Sequence, residues 1–540
     1  MTRPSTLPAV LSAHASADPS AVALVDDAGP LSRGELAGRV RRCAAGLRRA
    51  GVRPGGTVGL LCTNRAEWVV AALGAMAAGA QVAAFTTWSR SWDLDHLVEH
   101  SGCQVLISVG TVGDTDLLPV LTELVPEALA APDRSWVSAR YPRLRALVLI
   151  GDAPDPPGVT PFAELLADDD GADSAADPTA TALVLYTSGS TARPKAVQLR
   201  HDHAVAHAEQ VAGRMGVTAA DRVLVPVPLF WSYGGANALA VCLTTGATAV
   251  LQETFDAGRA LTAVHDEGCT AVYTLPNITQ ALLEHPDFSP DRVATLRRGM
   301  TIGPVRDVRA AAEDLGVTDV VNAYGSTEVY GGAAVTPYDW PLERRLASQG
   351  LPLPGMTVTV RDPATGDLLP VGETGELTVA GHVTTGYLGQ PEATAAAFAD
   401  DGAFRTGDLG FLDEDGELHF VGRASDMIRI GGINVSPLEV EEFLGLHEDV
   451  AEVLVVGTED PGRGQVAIAF VAAVGTPDDA ARRGLEEELL TRCRDQLAGY
   501  KVPARIVVGT DELPRTPTGK LTRSPLADAA ARAWAAGGAA

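Results

Sequence analysis

The stretch TALVLYTSGSTARPKAV, residues 181–197, decides how this chain is read. Thr181 to Tyr186 form a short apolar run of strand type. That run leads straight into glycine, serine and threonine, and the segment ends in Lys195. Successive backbone N–H groups in such a segment make an anion-binding nest, and the hydroxyls add donors. A lysine just after it reaches a phosphate as a compact point charge, which arginine, a planar fork, is not. Lysine is also scarce: only Lys195, Lys501 and Lys520 occur among 42 lysines and arginines. The segment is not a Walker A loop. Pro194 precedes the lysine and Ala196 follows it, where that pattern requires GK[ST]. Proline disfavours helix before it, so the lysine is expected on a loop, without a helix N-terminus behind it.

Outward from this stretch, the first half alternates helical and strand-like segments. LSRGELAGRVRRCAAGLRRAGV opens on a cap candidate, Ser32, with Glu35 three residues on, and ends at a glycine. TVGLLC, QVAAF and QVLISV read as buried strands. This alternation predicts an α/β fold: a large N-terminal layered domain with largely parallel sheet. Gly151 to Pro178 reads as an acidic connection. After about Arg423 the pattern changes to strand, helix, strand, strand, helix, enough for a small α+β unit with its own core. The expected domains are 1–424 and 425–540, the second one small. A chain of 540 residues is expected to hold two or more units, since domains typically run to about 100–250 residues.

Composition narrows the function classes. The formal charge is −26 with a pI near 4.8, which argues against a nucleic-acid-coating or anionic-membrane protein. Six dispersed cysteines form no CxxC, and no Cys/His cluster has zinc-ligand spacing. The N-terminus lacks a sustained apolar core of signal-peptide type. WVVAALGAMAAGA, residues 68–80, is shorter than the ~20 apolar residues a spanning helix needs. A soluble, cytoplasmic protein with small-molecule ligands is expected, with no nucleic-acid partner and no membrane span.

Three further stretches carry chemistry. In VVNAYGSTEV, residues 320–329, an apolar strand ends in a turn bearing one carboxylate, Glu328. Strand ends of α/β sheets are where ligands bind, and magnesium is held by one or two carboxylates plus substrate phosphates. In FRTGDLGFLDEDGELHFVGRASDMIRIGGINV, residues 404–435, Asp408 sits in a glycine-flanked turn, where it can accept both hydroxyls of a ribose. LPRTPTGKLTR, residues 513–523, places Lys520 on a proline- and glycine-containing loop. Taken singly, each has a plain structural reading: a surface turn, a solvated glutamate, a turn-capping aspartate, a tail lysine.

Together, in this order and spacing, these stretches resemble the adenylate-forming superfamily of acyl-CoA synthetases, peptide-synthetase adenylation domains and luciferases. YTSGSTARPK is similar to the phosphate loop, NAYGSTE to the adenine and magnesium motif, and TGD to the ribose motif. GRASDMIRIGGINVSPLEVE is similar to the hinge and thiol-tunnel motif, and PRTPTGK to the loop of the catalytic lysine. Weaker echoes occur at GELTVAGHVTTGYLG and LAGYKVP, so the resemblance spans essentially the whole chain.

The resemblance implies a large N-terminal domain joined at a hinge to a small, mobile C-terminal one, and two half-reactions. A carboxylate attacks the α-phosphate of ATP to give an acyl-adenylate and pyrophosphate, and the thiol of CoA then takes the acyl group. It implies ATP, Mg²⁺ and CoA as cofactor and co-substrates. It gives Thr187, Ser188, Gly189, Ser190, Thr191 and Lys195 to the phosphates. Gly303, Pro304, Asn322, Tyr324, Gly325 and Ser326 fall to the adenine, and Thr327 and Glu328 to phosphate and metal. Asp408 and Arg423 fall to the ribose, Gly431 and Gly432 to the pantetheine tunnel, and Lys520, with Glu328 and Lys195, to catalysis. Trp231, Tyr233, Gly234, Asn237, Ile302, Val329 and Tyr330 become pocket candidates, suggesting a small or aromatic acid.

The chain departs from the family pattern at several positions. Ala192 and Ala196 stand where glycine is usual, Trp231 where many relatives have histidine, Ser425 at the hinge, Arg429 for a lysine and Gln465 for a glutamate. None removes an obligatory group. The acceptor stays open between CoA, an acyl or peptidyl carrier protein, and an amine with a small oxyacid such as nitrite activated. A non-catalytic nucleotide binder is a further alternative, disfavoured by retention of Lys195 and Lys520.

Overall fold

The computed structural model describes residues 4–151, 156–172, 174–187, 194–430, 433–460, 464–497, 499–509, 512–516 and 521–537. The chain divides into two compact units: Met1–Gly303 with Asp307–Val358 and Val379–Phe404, and Pro304–Arg306 with Thr359–Thr378 and Arg405–Ala540.

The larger unit is built on two sheets. In the seven-stranded sheet, Thr57–Leu61, Gln81–Phe85, Val105–Val109, Ala146–Ile150 and Thr181–Thr187 run parallel. In the nine-stranded sheet, Val22–Asp26, Arg222–Val225, Thr248–Leu251, Ala271–Tyr273, Arg298–Thr301 and Asp319–Tyr324 do so. The parallel strands lie with both faces covered, which is why they read as unbroken apolar runs and not as alternations. Val58, Leu60, Val82, Val105, Ile107, Val184 and Leu185 are all buried. The helix Arg33–Arg49 has the capping box expected: the Glu35 N–H donates to Ser32 Oγ at 3.2 Å, and the Ser32 N–H donates to Glu35 Oε2 at 2.9 Å. WVVAALGAMAAGA folds as the buried helix Ala66–Ala77, whose small residues allow close approach: a Cβ on Gly74 would lie 2.6 Å from Cys43 Sγ.

The smaller unit contains the antiparallel pair Phe404–Leu412 and Leu418–Arg423 and a five-stranded sheet. That sheet pairs Val450–Asp460 with Gly464–Ala473 antiparallel, with Arg505–Gly509 beside the latter. Along Gly464–Ala473 alternate residues enter two different cores. Ala467, Ala469 and Val471 pack with Val440, Leu444, Leu489 and Ile506, whereas Val466, Ile468 and Phe470 pack with Leu454, Leu513 and Ala530. Both faces are covered, which explains why QVAIAFVAAV shows no polar alternation.

Candidate active site

The phosphate-loop segment connects two hydrogen-bonded strands. Thr181–Thr187 pairs antiparallel with Lys195–Arg200, and Thr187 lies opposite Lys195. Lys195 therefore opens a strand, not a free loop as the sequence suggests: Pro194 excludes helix, and the return strand takes the lysine up. Ser188, Gly189, Ser190 and Thr191 lie outside the described residues. The Lys195 ammonium lies 4.8 Å from the centre of the Tyr387 ring.

Asp319–Tyr324 delivers the chain into Gly325, Ser326, Thr327 and Glu328. A Cβ on Gly325 would lie 2.6 Å from the backbone of Gly332, so only glycine fits there. Ser326 Oγ is buried without a hydrogen-bond partner among the described residues, an unmet polar atom of the kind a ligand satisfies. Thr327 Oγ1 lies 3.2 Å from Ser232 Oγ. Glu328 is half-buried; its Oε1 accepts a hydrogen bond from the Tyr387 hydroxyl at 3.0 Å, and its main-chain carbonyl accepts from the Thr384 N–H at 2.7 Å.

The Thr384 contact belongs to a run of main-chain bonds that holds residues 384–388 beside the strand carrying Lys195. Among the described residues no three His, Cys, Asp or Glu side chains cluster as a metal cage. A magnesium ion here would take the Glu328 carboxylate and draw its other oxygens from phosphates, which fits a single carboxylate with acceptor sites left over.

The adenine candidates divide. Asn322 is buried, its Oδ1 accepting from the Ala323 N–H at 2.9 Å and its Nδ2 donating to the Ser348 carbonyl at 3.4 Å. Tyr324 is buried at the strand end. Gly303 follows the strand Arg298–Thr301, and a Cβ there would lie 2.9 Å from Pro276 Cγ. Pro304 is the next residue in the chain.

The pocket candidates also divide. Ser232–Leu239 forms a π-helical turn, a form frequent at functional sites. Three of the candidates have their polar groups bonded within the chain. The Tyr233 hydroxyl donates to the Met300 carbonyl at 2.8 Å, and Asn237 Oδ1 accepts from the Tyr273 hydroxyl at 2.9 Å. The Tyr330 hydroxyl accepts from the Arg200 N–H at 2.7 Å, with the Tyr330 ring fully buried and its φ at 59°. These side chains brace the wall; none offers a spare polar end. Gly234 has no room for a side chain, since a Cβ would lie 2.1 Å from the Pro228 carbonyl oxygen. Val329 is buried and Ile302 half-buried. Trp231 instead joins an aromatic group that the sequence did not announce. Its ring centre lies 5.2 Å from that of Trp88 and 6.0 Å from that of Phe230, edge to face, and Trp88 is 42% exposed.

In the smaller unit, Asp408 and Arg423 face each other across the antiparallel pair, Arg423 Nε 3.2 Å from Asp408 Oδ1. Asp408 is buried, whereas the Arg423 side chain is 61% exposed. Lys501 pairs with Glu439, a structural use of the second lysine. Gln465 Oε1 accepts from the Arg429 N–H at 2.9 Å. Gly431, Gly432, Lys520 and the Ser425 side chain lie outside the described residues. Arg523, three residues beyond Lys520, makes a bidentate pair with Glu441 at 2.6 and 2.7 Å and lies 3.4 Å from Asp426. Sequence reading missed Tyr387 and Arg523. The only signal was position: Tyr387 stands within GYLG, and Arg523 closes the lysine loop.

Two α/β sheets, a strand opening at Lys195 and a strand-end glutamate fit an adenylate-forming ligase. A model of the AMP-binding enzyme family matches residues 11–388, and one of the AMP-binding enzyme C-terminal domain matches residues 439–520. The chain belongs to the AMP-binding enzyme family, as an AMP-forming ligase of the acyl-CoA synthetase type. It is 36% identical over 516 residues to a feruloyl-CoA synthase of an Amycolatopsis species, covering 94% of this chain and 96% of that one. Its structure is similar to that of the anthranilate CoA ligase AuaEII in complex with anthranoyl-AMP, with a TM-score of 0.85, 26% identity and 98% of each chain covered. It is also similar to the amide bond synthetase McbA from Marinactinospora thermotolerans, with a TM-score of 0.81, 27% identity and coverage of 97% of this chain and 99% of that one. Among the described residues no helix is long and apolar enough to cross a membrane.

Proposed function

We propose that this enzyme activates an aromatic or small carboxylic acid as its acyl-adenylate and passes the acyl group to the thiol of CoA. The observation that carries the reading is the meeting of Lys195 and Glu328 on one side chain, Tyr387. A fixed cation and a metal-holding carboxylate at one place suit a nucleoside triphosphate and little else.

In this reading the acid's carboxylate oxygen attacks the α-phosphorus, the bond to the bridging oxygen breaks, and pyrophosphate leaves. Lys195 and the hydroxyls and N–H groups of residues 187–191 hold the β- and γ-phosphates and offset charge as it moves onto the leaving group. Glu328 would hold magnesium, which would supply positive charge to the phosphate oxygens. Ser326 Oγ and the strand ends at Gly303, Pro304, Asn322 and Tyr324 receive the adenine side of the nucleotide. Asp408 and Arg423 take the ribose, Lys520 the carboxylate and α-phosphate, and Gly431 and Gly432 the pantetheine arm. Residues 425–540 act as the mobile domain of the second half-reaction.

An aromatic acid is favoured by the Trp88, Phe230 and Trp231 group, and by relatives named for ferulate and anthranilate. A cytoplasmic location is supported by six free, buried cysteines, which fit a reducing compartment. An amine acceptor is the second reading, favoured by the likeness to an amide bond synthetase.

The test is pyrophosphate release from ATP and Mg²⁺ across a panel of acids, with and without CoA, with Lys520→Ala as control. Release that needs one class of acid, rises with CoA and falls in the variant is the expected result. Release that ignores CoA but yields an amide with added amine moves the assignment to the second reading. The same release with neither acceptor points to a carrier protein. Equal release by Lys520→Ala overturns the mechanism.

A further inference from the structure

We propose that Tyr387 is a positioning residue of the adenylation site, its ring seating the Lys195 ammonium and its hydroxyl aiming the Glu328 carboxylate. The proposal rests on the assignment of Lys195 to phosphate and Glu328 to magnesium.

Strand pairing puts the tyrosine there. Residues 384–388 run antiparallel to Lys195–Arg200, with Val197 opposite Tyr387. The Leu388 N–H donates to the Ala196 carbonyl at 2.9 Å, and the Gln198 N–H to the Gly386 carbonyl at 3.0 Å. Lys195, two residues before Val197, is then the diagonal neighbour of Tyr387 on the same face, within reach of an aromatic ring. The other end of the segment holds the second partner, where the Thr384 N–H donates to the Glu328 carbonyl at 2.7 Å. One short segment thus binds both the strand of the cation and the turn of the carboxylate.

The tyrosine is locked against sliding. Its N–H donates to Thr394 Oγ1 at 2.9 Å. Gly386 before it has φ +127°, and a Cβ there would lie 2.4 Å from Thr394 Cγ2. Glycine alone permits that approach.

The chemistry suits the task. Tyr387 is 5% exposed, and its hydroxyl donates to Glu328 Oε1 at 3.0 Å. That bond removes one acceptor site and fixes the carboxylate plane, leaving Oε2 for a metal. The π face meets the ammonium, an attraction that gains as water is excluded. A residue serving only to fill the core would do so without a buried hydroxyl in need of a partner.

The test is calorimetric titration of ATP into the full-length protein with and without Mg²⁺, for wild type, Tyr387→Phe, Tyr387→Leu, Glu328→Gln and Tyr387→Phe/Glu328→Gln. Wild type binding ATP more tightly with Mg²⁺ upholds the assignment beneath the proposal. Wild type indifferent to ATP overturns that assignment, and the proposal with it. Tyr387→Phe keeps the ring and loses the hydroxyl. It is expected to raise the Mg²⁺ concentration for half-maximal tightening by about tenfold, with metal-free ATP affinity unchanged. Tyr387→Leu loses the ring as well and is expected to weaken metal-free binding about fivefold. In the Glu328→Gln background, Tyr387→Phe is expected to add no further shift in Mg²⁺ dependence. If wild type responds to Mg²⁺ and Tyr387→Phe responds identically, or if its shift persists in full in Glu328→Gln, the proposal is wrong. Tyr387→Phe is a near-isosteric change, so the outcome does not depend on Tyr387→Leu folding.

Discussion

Replacing Arg523 by methionine tests how the segment that carries Lys520 is anchored. Arg523 donates to both oxygens of Glu441 at 2.6 and 2.7 Å and to the Val455 carbonyl at 3.1 Å. Glu441 also accepts from the Val455 N–H at 2.7 Å, and its side chain is only 10% exposed. Removing one member of a buried pair leaves the other charge uncompensated, at a cost of about 3–5 kcal/mol. The Arg523 side chain is 28% exposed, so water relieves part of this, and about 2–4 kcal/mol is expected.

The pH dependence follows from Glu441. Burial raises its pKa above the ordinary 4.5, and Arg523 pulls it back down. With the folded value above the unfolded one, the folded chain holds the proton more tightly. The group's favourable contribution is then full below 4.5 and is lost as pH rises through the folded value. Without Arg523 the folded value climbs further, so the variant is penalised most at pH 8 and least at pH 5. The double variant Arg523→Met/Glu441→Leu, which removes both charges, is expected to recover most of the loss. Native-state hydrogen exchange of the full chain, read on peptides from 437–473 and 505–509, measures the smaller unit directly. Protection equal to wild type at pH 8, or a loss unchanged between pH 5 and pH 8, refutes the reasoning.

Other expectations are simpler to state. Gly325→Ala pushes a methyl into the Gly332 backbone and is expected to weaken ATP binding by about fivefold or more, measured by calorimetry, since overpacking of this kind costs about 1–3 kcal/mol. Trp231→Ala and Trp88→Ala are expected to lower kcat/KM for aromatic acids more than for short aliphatic ones, and equal losses would remove the aromatic group from acid selection. His207 is fully buried, and burial lowers its pKa from 6.5 to about 4. Its folded value lies below the unfolded one, so stability present above pH 6.5 is lost as pH falls toward 4, and His207→Asn is expected to flatten that slope in urea titrations. Lys501→Ala breaks a pair with a half-exposed glutamate and is expected to change stability by less than about 1 kcal/mol.

Much of this protein was legible in one dimension. The strands Thr57–Leu61, Gln81–Phe85 and Val105–Val109, the capped helix Arg33–Arg49 and the strand–helix order of the smaller unit all follow from apolar runs and turn residues, which act over a few positions. The strand that ends in the turn bearing Glu328 follows from the same local chemistry, whereas Asp408, expected in a glycine-flanked turn, lies inside the strand Phe404–Leu412 because Leu418–Arg423 pairs along it. What the sequence left open was context. In sequence, Tyr233, Asn237 and Tyr330 read only as pocket candidates, with no partner named for their polar groups. Folding bonds all three internally, because a buried hydroxyl or amide without a partner is too costly to keep.

The sequence by itself determined the layered α/β class, the order of the elements and the stretches proposed here to hold phosphate. Only the tertiary structure decided which of those stretches touch. Tyr387 and Glu328 lie 59 residues apart, and Arg523 and Glu441 lie 82 apart. Their meeting depends on which strand edge each segment pairs with. Propensity and periodicity describe how a segment folds, but they do not name its neighbour; strand register and the burial of charge do.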